Sequence, residues 1–506
     1  MNKVFVLILS ALALISCSDN IETEDIVESD VVTRYINFTI SVGSADGPST
    51  RAYGEDGDIR EDGSEAENQV TGVTVLLYED AAGINTSSNP LIVYSKYFTT
   101  SLVSREAEGG NHNVEAVYTT GNKEFTEEEL DLSKTYHAII IANKNLTATF
   151  PTGTALNDVR NYVCNEISGY STAVSDPAYN PYNTSDFIMA SEKDVSFQLS
   201  SLTIQYVNPA NPKEGIVHPV TVMPVERLAA RIDFWAKNGI IPTAGSDYYT
   251  EKEHTNLIPG KYVYPTTGGG YVFAITEVIP FNIQNQNATS AKEYLLKHLA
   301  TAITDPVVPQ YLSDETSTNY VVDPRTVTKG GGYFTDYYNT LKVVNGTADP
   351  TNNLLSMASG RFRSYTEDGQ TANSHLICYA MENTLWSSSS LAGYATGLII
   401  KGKLYEKKED SGKIWYEAII DPDRTYYNFI RHHGPDYGST KTFSAYTTLN
   451  PTDVAGATPM QFGIVRNNLY RIYINSVADP STLKAELDIK IYVRPWRLRK
   501  AEETVL

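Results

Sequence analysis

The sequence predicts a mainly β protein with two β-sandwich-like domains and a few short helices. Short apolar segments with period-2 alternation recur along the 506 residues, and clusters of Gly, Pro, Asn and Asp separate them. Tyrosine, which suits half-buried strand surfaces, occurs 35 times. A chain of this length is also long enough to build more than one hydrophobic core.

The N-terminus has the features of an export signal. Lys3 precedes the apolar run VFVLILSALALIS, which is too short to span a membrane. The segment LISC at 14–17 matches a lipobox, in which Cys17 is lipidated and becomes the new N-terminus; the alternative is a plain secretory signal with an incidental cysteine. We expect residues 1–16 to be a signal peptide followed by an acidic, flexible tether. No later apolar run approaches the roughly 20 residues that a membrane span requires.

The segment YINFTISV at 35–42 predicts the first strand. Its apolar residues alternate with polar ones, as expected when one face of a strand is buried: Ile36, Phe38, Ile40 and Val42. A loop containing Gly, Ser and Pro follows, and then Arg51. The next stretch holds seven acidic residues between positions 55 and 67, so we expect 52–68 to be solvated.

Further strands and helices follow from the same patterns. Apolar and β-branched runs predict strands within 69–80, 90–100, 128–144, 194–207, 218–238, 375–385, 395–407 and 413–420. Apolar residues at intervals of three or four predict short helices at 155–167 and 290–300. A boundary near 225 would divide the chain into an N-terminal sandwich, 52–225, and a C-terminal sandwich, 226–495.

The C-terminus predicts two successive strand segments, 486–494 and 496–506. Apolar residues occupy odd positions up to Val493, whereas after Pro495 the large apolar residues occupy even positions. Such a shift turns the side chains to the other face of a sheet, and proline does not fit a central ladder. The second segment has four apolar anchors among charged residues: Trp496, Leu498, Val505 and Leu506. The alternative is an ordinary edge strand protected by its charges.

The net charge and the cysteine content limit the classes of function that are open to the protein. The formal net charge is −20, and the part after Arg51 carries 37 basic and 53 acidic residues, a net of −16. Nucleic-acid binding needs clustered Lys and Arg, so we expect no nucleic-acid partner. Beyond Cys17, the chain contains Cys164 and Cys378. They form either one disulfide in an oxidising compartment or two unrelated thiols.

No pattern indicates catalysis. His432 and His433 precede Asp436, but neighbouring histidines on a strand point to opposite faces. His375 with Cys378 also lacks the spacing of a zinc motif, and no GxSxG nucleophile elbow is present. We therefore expect no enzyme, no catalytic residues, no metal and no cofactor.

Several segments together resemble the fimbrillins of Bacteroidales type V pili. Besides the lipobox and the alternating first strand, they are STRAYGEDG…ENQV (49–70), VERLAARIDF (225–234), YAMENT (379–384), YYNFIRHHG (426–434), FGIVRNNLYRIYINSV (462–477) and VRPWRLRKAEETVL (493–506). The ENT, IRH and VRN-x-x-Y elements are most similar to minor-fimbrium shaft subunits. The resemblance follows the chain in order, with 239–375 matching only loosely. It implies transthyretin-like domains. Arg431 and Arg466, within these segments, are candidates for buried partners of acids.

The resemblance implies a scheme of processing and assembly. In that family, a lipoprotein precursor reaches the outer membrane, and a trypsin-like, arginine-specific protease cuts after an arginine beyond the first strand. Carried over to this sequence, the cut falls between Arg51 and Ala52 and removes the propeptide 17–51 with its lipid and its strand. The family then fills the vacated groove with the C-terminal strand of the next subunit, here 496–506.

The resemblance also implies partners and a location. The partners would be copies of the chain itself, anchor and tip subunits, and a host or bacterial surface receptor for adhesion. The precursor would be an outer-membrane lipoprotein and the mature protein part of an extracellular fimbrium. Two other arginines compete as cut sites, but a cut at Arg34 would leave the strand attached and Arg60 lies among acids. The alternative functions are a surface-anchored glycan-binding lipoprotein that keeps its lipid, and a secreted hydrolase.

Overall fold

The computed structural model describes more than half of the residues of the chain. They are 32–42, 66–79, 89–107, 114–164, 166–167, 186–192, 194–259, 262–281, 293–300, 310–311, 320–321, 324, 362–367, 369–383, 396–419, 424–429, 442–444, 463–479 and 487–495.

The protein is mainly β, as predicted. In the first part of the chain the strands are β1 (Arg34–Val42), β2 (Gly72–Glu79), β3 (Ile92–Ala107), β4 (Val114–Thr120), β5 (Lys123–Phe125), β6 (Thr135–Ala142), β7 (Val163–Cys164), β8 (Met189–Ser191), β9 (Val195–Gln198), β10 (Gln205–Tyr206) and β11 (Ile216–Arg227). One α-helix, α1 (Leu156–Arg160), buries Leu156 and Val159. Short 3-10 turns lie at Ala66–Asn68, Leu199–Ser201 and Pro212–Glu214.

The second part of the chain continues with strands. They are β12 (Ala230–Trp235), β13 (Tyr262–Pro265), β14 (Tyr271–Phe281), β15 (Glu293–Tyr294), β16 (His298–Ala300), β17 (Gln310–Tyr311), β18 (Tyr320–Val321), β19 (Phe362–Glu367), β20 (Gln370–Ala380), β21 (Gly397–Asp410), β22 (Lys413–Ala418), β23 (Arg424–Phe429), β24 (Thr442–Ser444), β25 (Asn468–Val477) and β26 (Leu487–Pro495).

Seven strands of the largest sheet close into a ring. Their order is β11-β8-β6-β2-β3-β4-β1, and β1 pairs back onto β11. The strand β5 pairs with the start of β1, while β9 and β10 extend the sheet at β6 and β11. Closure removes exposed sheet edges, and it depends on β1.

The remaining strands form separate sheets next to this ring. One has the order β19-β20-β12-β25-β26-β24, and another has the order β13-β14-β21-β22 with β23 on β21. Two small sheets pair β7 with β15 and place β16 between β17 and β18. The chain passes from the ring to the next sheet between β11 and β12, and one buried apolar cluster continues across that passage. The predicted boundary near 225 lies within β11; the division into two domains stays a prediction.

Three local predictions need correction. The acidic composition of 52–68 predicts a solvated stretch, but Glu67 is only 1% exposed because it is ion-paired inside the protein; residues 52–65 lie outside the described residues. Residues 290–300 do not form the predicted helix: β15 and β16 lie there, and Leu295 and Leu296 between them are fully buried. The helix expected at 155–167 is confined to α1, because the chain then turns into β7.

Candidate functional site

The first strand contributes directly to the core of the ring. Its inward side chains are all fully buried: Ile36, Phe38, Ile40 and Val42. The ring of Phe38 meets the rings of Phe98 and Phe197 edge-on, with centroid distances of 5.4 and 6.4 Å. Such edge-on contacts add to the stabilisation from apolar burial. The side chains that the alternation predicts to face the core are therefore buried in the structure.

Backbone pairing holds β1 on both sides. On one side it runs antiparallel to β4, from Thr39 opposite Thr119 to Val42 opposite Ala116, and its first residues pair with β5. On the other side it runs parallel to β11, with an irregularity between Phe38 and Ile40. We call the space that β1 occupies between these neighbours the β1 groove. Without a strand there, β4, β5 and β11 would present unpaired backbone groups.

Side chains add specific contacts to this pairing. The Phe38 amide donates a hydrogen bond to Thr120 Oγ1 at 2.9 Å, and the Asn37 side chain donates to Asn122 Oδ1 at 2.9 Å. At the start of the strand, the Arg34 guanidinium lies 2.9 Å from a Glu127 carboxylate oxygen. These two side chains are 25% and 61% exposed, so the pair contributes little to stability.

A glycine lets β11 approach the start of β1. Gly215 has a φ of +144°, a conformation that side chains other than glycine rarely adopt. A Cβ atom there would lie 2.6 Å from the ring of Tyr35. The close approach therefore depends on glycine at this position.

Several residues of the predicted scheme lie outside the described residues. They are Cys17, Arg51, Ala52, Trp496, Leu498, Val505 and Leu506. The described chain leaves β1 at Val42 and begins again at Ala66. The lipidation, the cut and the donor strand stay predictions. Within the described residues, no helix is long and apolar enough to cross a membrane.

A buried polar cluster joins the ring to the next sheet, and its centre is Glu67, which the sequence pattern places in a solvated stretch. One Glu67 carboxylate oxygen accepts hydrogen bonds from Arg231 at 2.7 Å and from the Tyr379 hydroxyl at 2.5 Å. Arg231 also donates to both carboxylate oxygens of Asp233, at 2.7 and 3.0 Å. Burial alone would lower the pKa of Arg231, but Asp233 and Glu67 raise it well above its usual value. The cluster links the Ala66–Asn68 turn to β12 and β20.

A second buried cluster surrounds Arg466, which is fully buried. Its guanidinium donates to Glu382 Oε2 and to the Leu295 carbonyl, each at 2.9 Å, and it lies 3.4 Å from Glu293 Oε1. Burial opposes the charge, but these carboxylates hold the pKa of Arg466 above its usual range. The predicted pairing of Arg466 with acids is confirmed, whereas Arg431 lies outside the described residues.

These clusters explain why charged residues interrupt apolar strands. VERLAARIDF supplies Arg231 and Asp233, YAMENT supplies Glu382, and FGIVRNN supplies Arg466. A charged residue inside a buried strand needs a partner of opposite charge. Charged residues inside apolar segments of the sequence therefore predict buried ion pairs, but they do not identify the partner of each residue.

Replacing Arg466 should destabilise the protein strongly. In Arg466→Met, the buried ion pairs of Arg466 with Glu382 and Glu293 would be broken. Removing one partner of a buried ion pair costs about 3–5 kcal/mol. Urea unfolding of the purified protein measures the loss. The control is Lys134→Ala, which removes a pair with Glu79 whose side chains are 47% and 38% exposed and should cost no more than about 1 kcal/mol. Equal stability of the two variants would contradict the assigned role.

Of the candidate metal ligands, His375 and Cys378 lie on β20, whereas His432, His433 and Asp436 lie outside the described residues. His375 Nε2 lies 2.7 Å from the Tyr262 hydroxyl and shares a hydrogen bond with it. In the part of the chain that the structure describes, no three His, Cys, Asp or Glu side chains form a group that could hold a metal ion.

Cys164 and Cys378 are both free and buried, so they do not form a disulfide with each other. Burial raises the pKa of Cys164 to about 12, which makes this thiol unreactive at neutral pH.

Comparisons with known proteins give little information about the function of the chain. No protein-family model matches the sequence, and no curated protein matches it. Among solved structures, the chain is similar to the crystal structure of a fimbrial assembly protein from Parabacteroides distasonis ATCC 8503, with a TM-score of 0.32 and 11% sequence identity. That alignment covers 93% of this chain and 98% of the other. A similarity at this level does not identify the function of the chain.

Proposed function

We propose that the protein is a polymerising shaft subunit of a type V fimbrium in which β1 is a removable strand. One observation carries the proposal. The strand whose excision the resemblance to fimbrillins implies is the strand that closes the seven-stranded ring, with backbone pairing on both sides. Its removal would therefore open a site for another strand and leave the other ring strands paired with one another.

The energetics favour replacement over simple loss. Burying a large apolar side chain stabilises a fold by roughly 1.5–3 kcal/mol, so the four inward side chains of β1 contribute roughly 6–12 kcal/mol together. This is comparable to the whole net stability of a typical domain, about 5–15 kcal/mol. A protein that loses β1 therefore needs another apolar strand in the β1 groove to remain stable.

The proposed scheme has three steps. The precursor is exported and lipidated at Cys17, and an arginine-specific or trypsin-like protease then cuts between Arg51 and Ala52. The vacated β1 groove finally accepts residues 496–506 of the next copy by β-strand addition. Trp496 and Leu498 would take the place of apolar side chains of β1, with Val505 and Leu506 at the far end. Two transthyretin-like domains within each subunit are part of the same proposal.

The scheme defines the partners and the location of the protein. The main partners are copies of the same chain, together with anchor and tip subunits of the fimbrium. The precursor belongs to the outer membrane through its lipid, and the mature subunit belongs to an extracellular filament that mediates adhesion through a host or bacterial surface receptor.

The N-terminus of the protein at the cell surface tests the proposal. Protein sheared from intact cells should begin at Ala52 and carry no lipid, because the propeptide has been removed. Intact-mass measurement and N-terminal sequencing report both properties. Filaments built from subunits that still begin at an acylated Cys17 would refute the excision of β1. A lipidated surface protein that forms no filaments would instead favour a surface-anchored binding protein.

A further inference from the structure

The Ala66–Asn68 turn contacts both strands that flank the β1 groove. From β4, the Tyr118 hydroxyl donates a hydrogen bond to the Asn68 carbonyl at 3.0 Å. From β11, Arg227 Nε donates to the Glu67 carbonyl at 2.9 Å, and another nitrogen of Arg227 donates to Asn68 Oδ1. The turn therefore connects β4 to β11 without using any atom of β1.

These contacts lie at the end of the groove where β1 finishes. Tyr118 is paired with Ile40 of β1. Arg227 is two residues beyond Val225, which is paired with Val42, the last residue of β1. The turn thus spans the groove beside its final residues, and Tyr118 and Arg227 are both buried there.

The turn is itself held from the next sheet. Glu67 accepts hydrogen bonds from Arg231 on β12 and Tyr379 on β20. Arg227 also donates to Asn467 Oδ1 at 3.0 Å. Burial lowers the pKa of Arg227 to about 10, so its guanidinium stays charged at neutral pH and keeps donating these bonds. Groups outside the ring, Arg231 and Tyr379, therefore also hold the turn in position.

Once β1 is removed, direct pairing of β4 with β11 would compete with the uptake of a new strand. Strands on either side of a missing strand stand about 9–10 Å apart, twice the usual spacing. Because β1 is parallel to β11 and antiparallel to β4, the strands β4 and β11 are antiparallel to each other. Antiparallel edges are able to pair directly, which would close a six-stranded ring and eliminate the β1 groove.

We propose that the Ala66–Asn68 turn is a brace that holds β4 and β11 apart and keeps the β1 groove receptive after β1 has been excised. This inference rests on the proposed function. Tyr118, Asn68 and Arg227 act as positioning residues, because their bonds in the brace use no atom of the strand in the groove. Only the Tyr118 backbone lies directly opposite that strand, at Ile40. The turn follows Arg51 in the chain, so the proposed cut leaves it in the mature protein.

Strand uptake by the cut protein tests the brace. The full-length precursor is cut with a trypsin-like protease, and a fluorescent peptide with the sequence of residues 32–45 is added in excess. The rate and extent of peptide incorporation measure how receptive the groove is. This peptide carries the sequence of β1, so the assay does not depend on which strand is the natural donor.

Two variants that each remove one hydroxyl group distinguish loss of the brace from a general loss of stability. Tyr118→Phe removes the bond between β4 and Asn68. The matched control Thr100→Val removes a bond of 2.6 Å from Thr100 Oγ1 to the Val70 carbonyl, in the same segment but from β3, which does not flank the groove. Both should lower the melting temperature of the uncut precursor similarly. Only Tyr118→Phe should reduce peptide uptake, by about three- to ten-fold, the effect of one buried hydrogen bond.

A variant of the other flanking strand gives an independent check. Arg227→Lys keeps the positive charge but loses the forked geometry that reaches both Glu67 and Asn68. It should reduce uptake at least as much as Tyr118→Phe. Uptake equal to that of Thr100→Val in both variants would overturn the brace. If the cut wild-type protein neither releases β1 nor takes up the peptide, the proposed function itself fails, and the two failures are distinguishable.

Discussion

Cells that produce the Arg51→Ala precursor should accumulate lipidated protein beginning at Cys17 and should display no filaments. The reason is that β1 then stays covalently attached to the chain. A strand that is already part of the chain occupies the β1 groove at a far higher effective concentration than the tail of another copy. We therefore expect the loss of assembly to be complete, and electron microscopy of the cell surface with intact-mass analysis of membrane fractions measures it.

The neighbouring arginines supply controls for this experiment. Arg60→Ala should assemble normally, because the cut at Arg51 already frees β1. Arg34→Ala should also be cut normally, since the partly exposed pair with Glu127 contributes little to stability. Normal filaments from Arg51→Ala would place the cut elsewhere and contradict the assignment. A cut at Arg34 would leave β1 in the mature subunit and contradict the removal of the strand.

Truncation after Pro495 should yield a folded subunit that does not polymerise. The strand β26 ends at Pro495 and pairs along its length with β25, so the six-stranded sheet retains all its strands in the truncated chain. The truncation removes the proposed donor strand with its four apolar anchors, Trp496, Leu498, Val505 and Leu506. Circular dichroism and size-exclusion chromatography of the cut protein report folding and oligomeric state.

A milder change in the same segment gives the matched comparison. Trp496→Ala combined with Leu498→Ala keeps the length and charge of the tail but removes its first apolar anchors. We expect it to slow assembly severely, whereas alanine at the charged positions Glu502 and Glu503 should have little effect. Filaments of normal length and yield from the truncated chain would refute the donor assignment.

Local patterns predict the strands of this protein better than their pairing. Strict alternation over 35–42 predicts β1 and its inward side chains, because one face of the strand is packed into the core. The pairing of β1 with β11 joins Arg34 to Ile216. Nothing in a period-2 pattern specifies a partner so distant in the chain. Ring closure, the feature on which the β1 groove depends, could therefore not be predicted.

Tertiary contacts also override local signals at the candidate site. Glu67 ends an acidic stretch that is typical of a solvated segment, yet Arg231 and Tyr379 stabilise its buried carboxylate. At 290–300, the spacing of apolar residues indicates a helix. Glu293 and Tyr294 instead pair with β7, and Glu293 lies beside the buried Arg466. In both places the deciding partner is far away in the sequence.

The double pairing of β1 has a mechanical consequence for a filament built in the proposed way. A strand in the β1 groove lies between two ladders, so tension along its axis shears both sets of hydrogen bonds together and does not peel them apart one by one. Rupture under tension then follows the rate of unfolding and not the equilibrium affinity of the strand. A fibre whose joints have this geometry would withstand brief pulling, such as fluid flow over a cell, even where each joint is only moderately stable at rest.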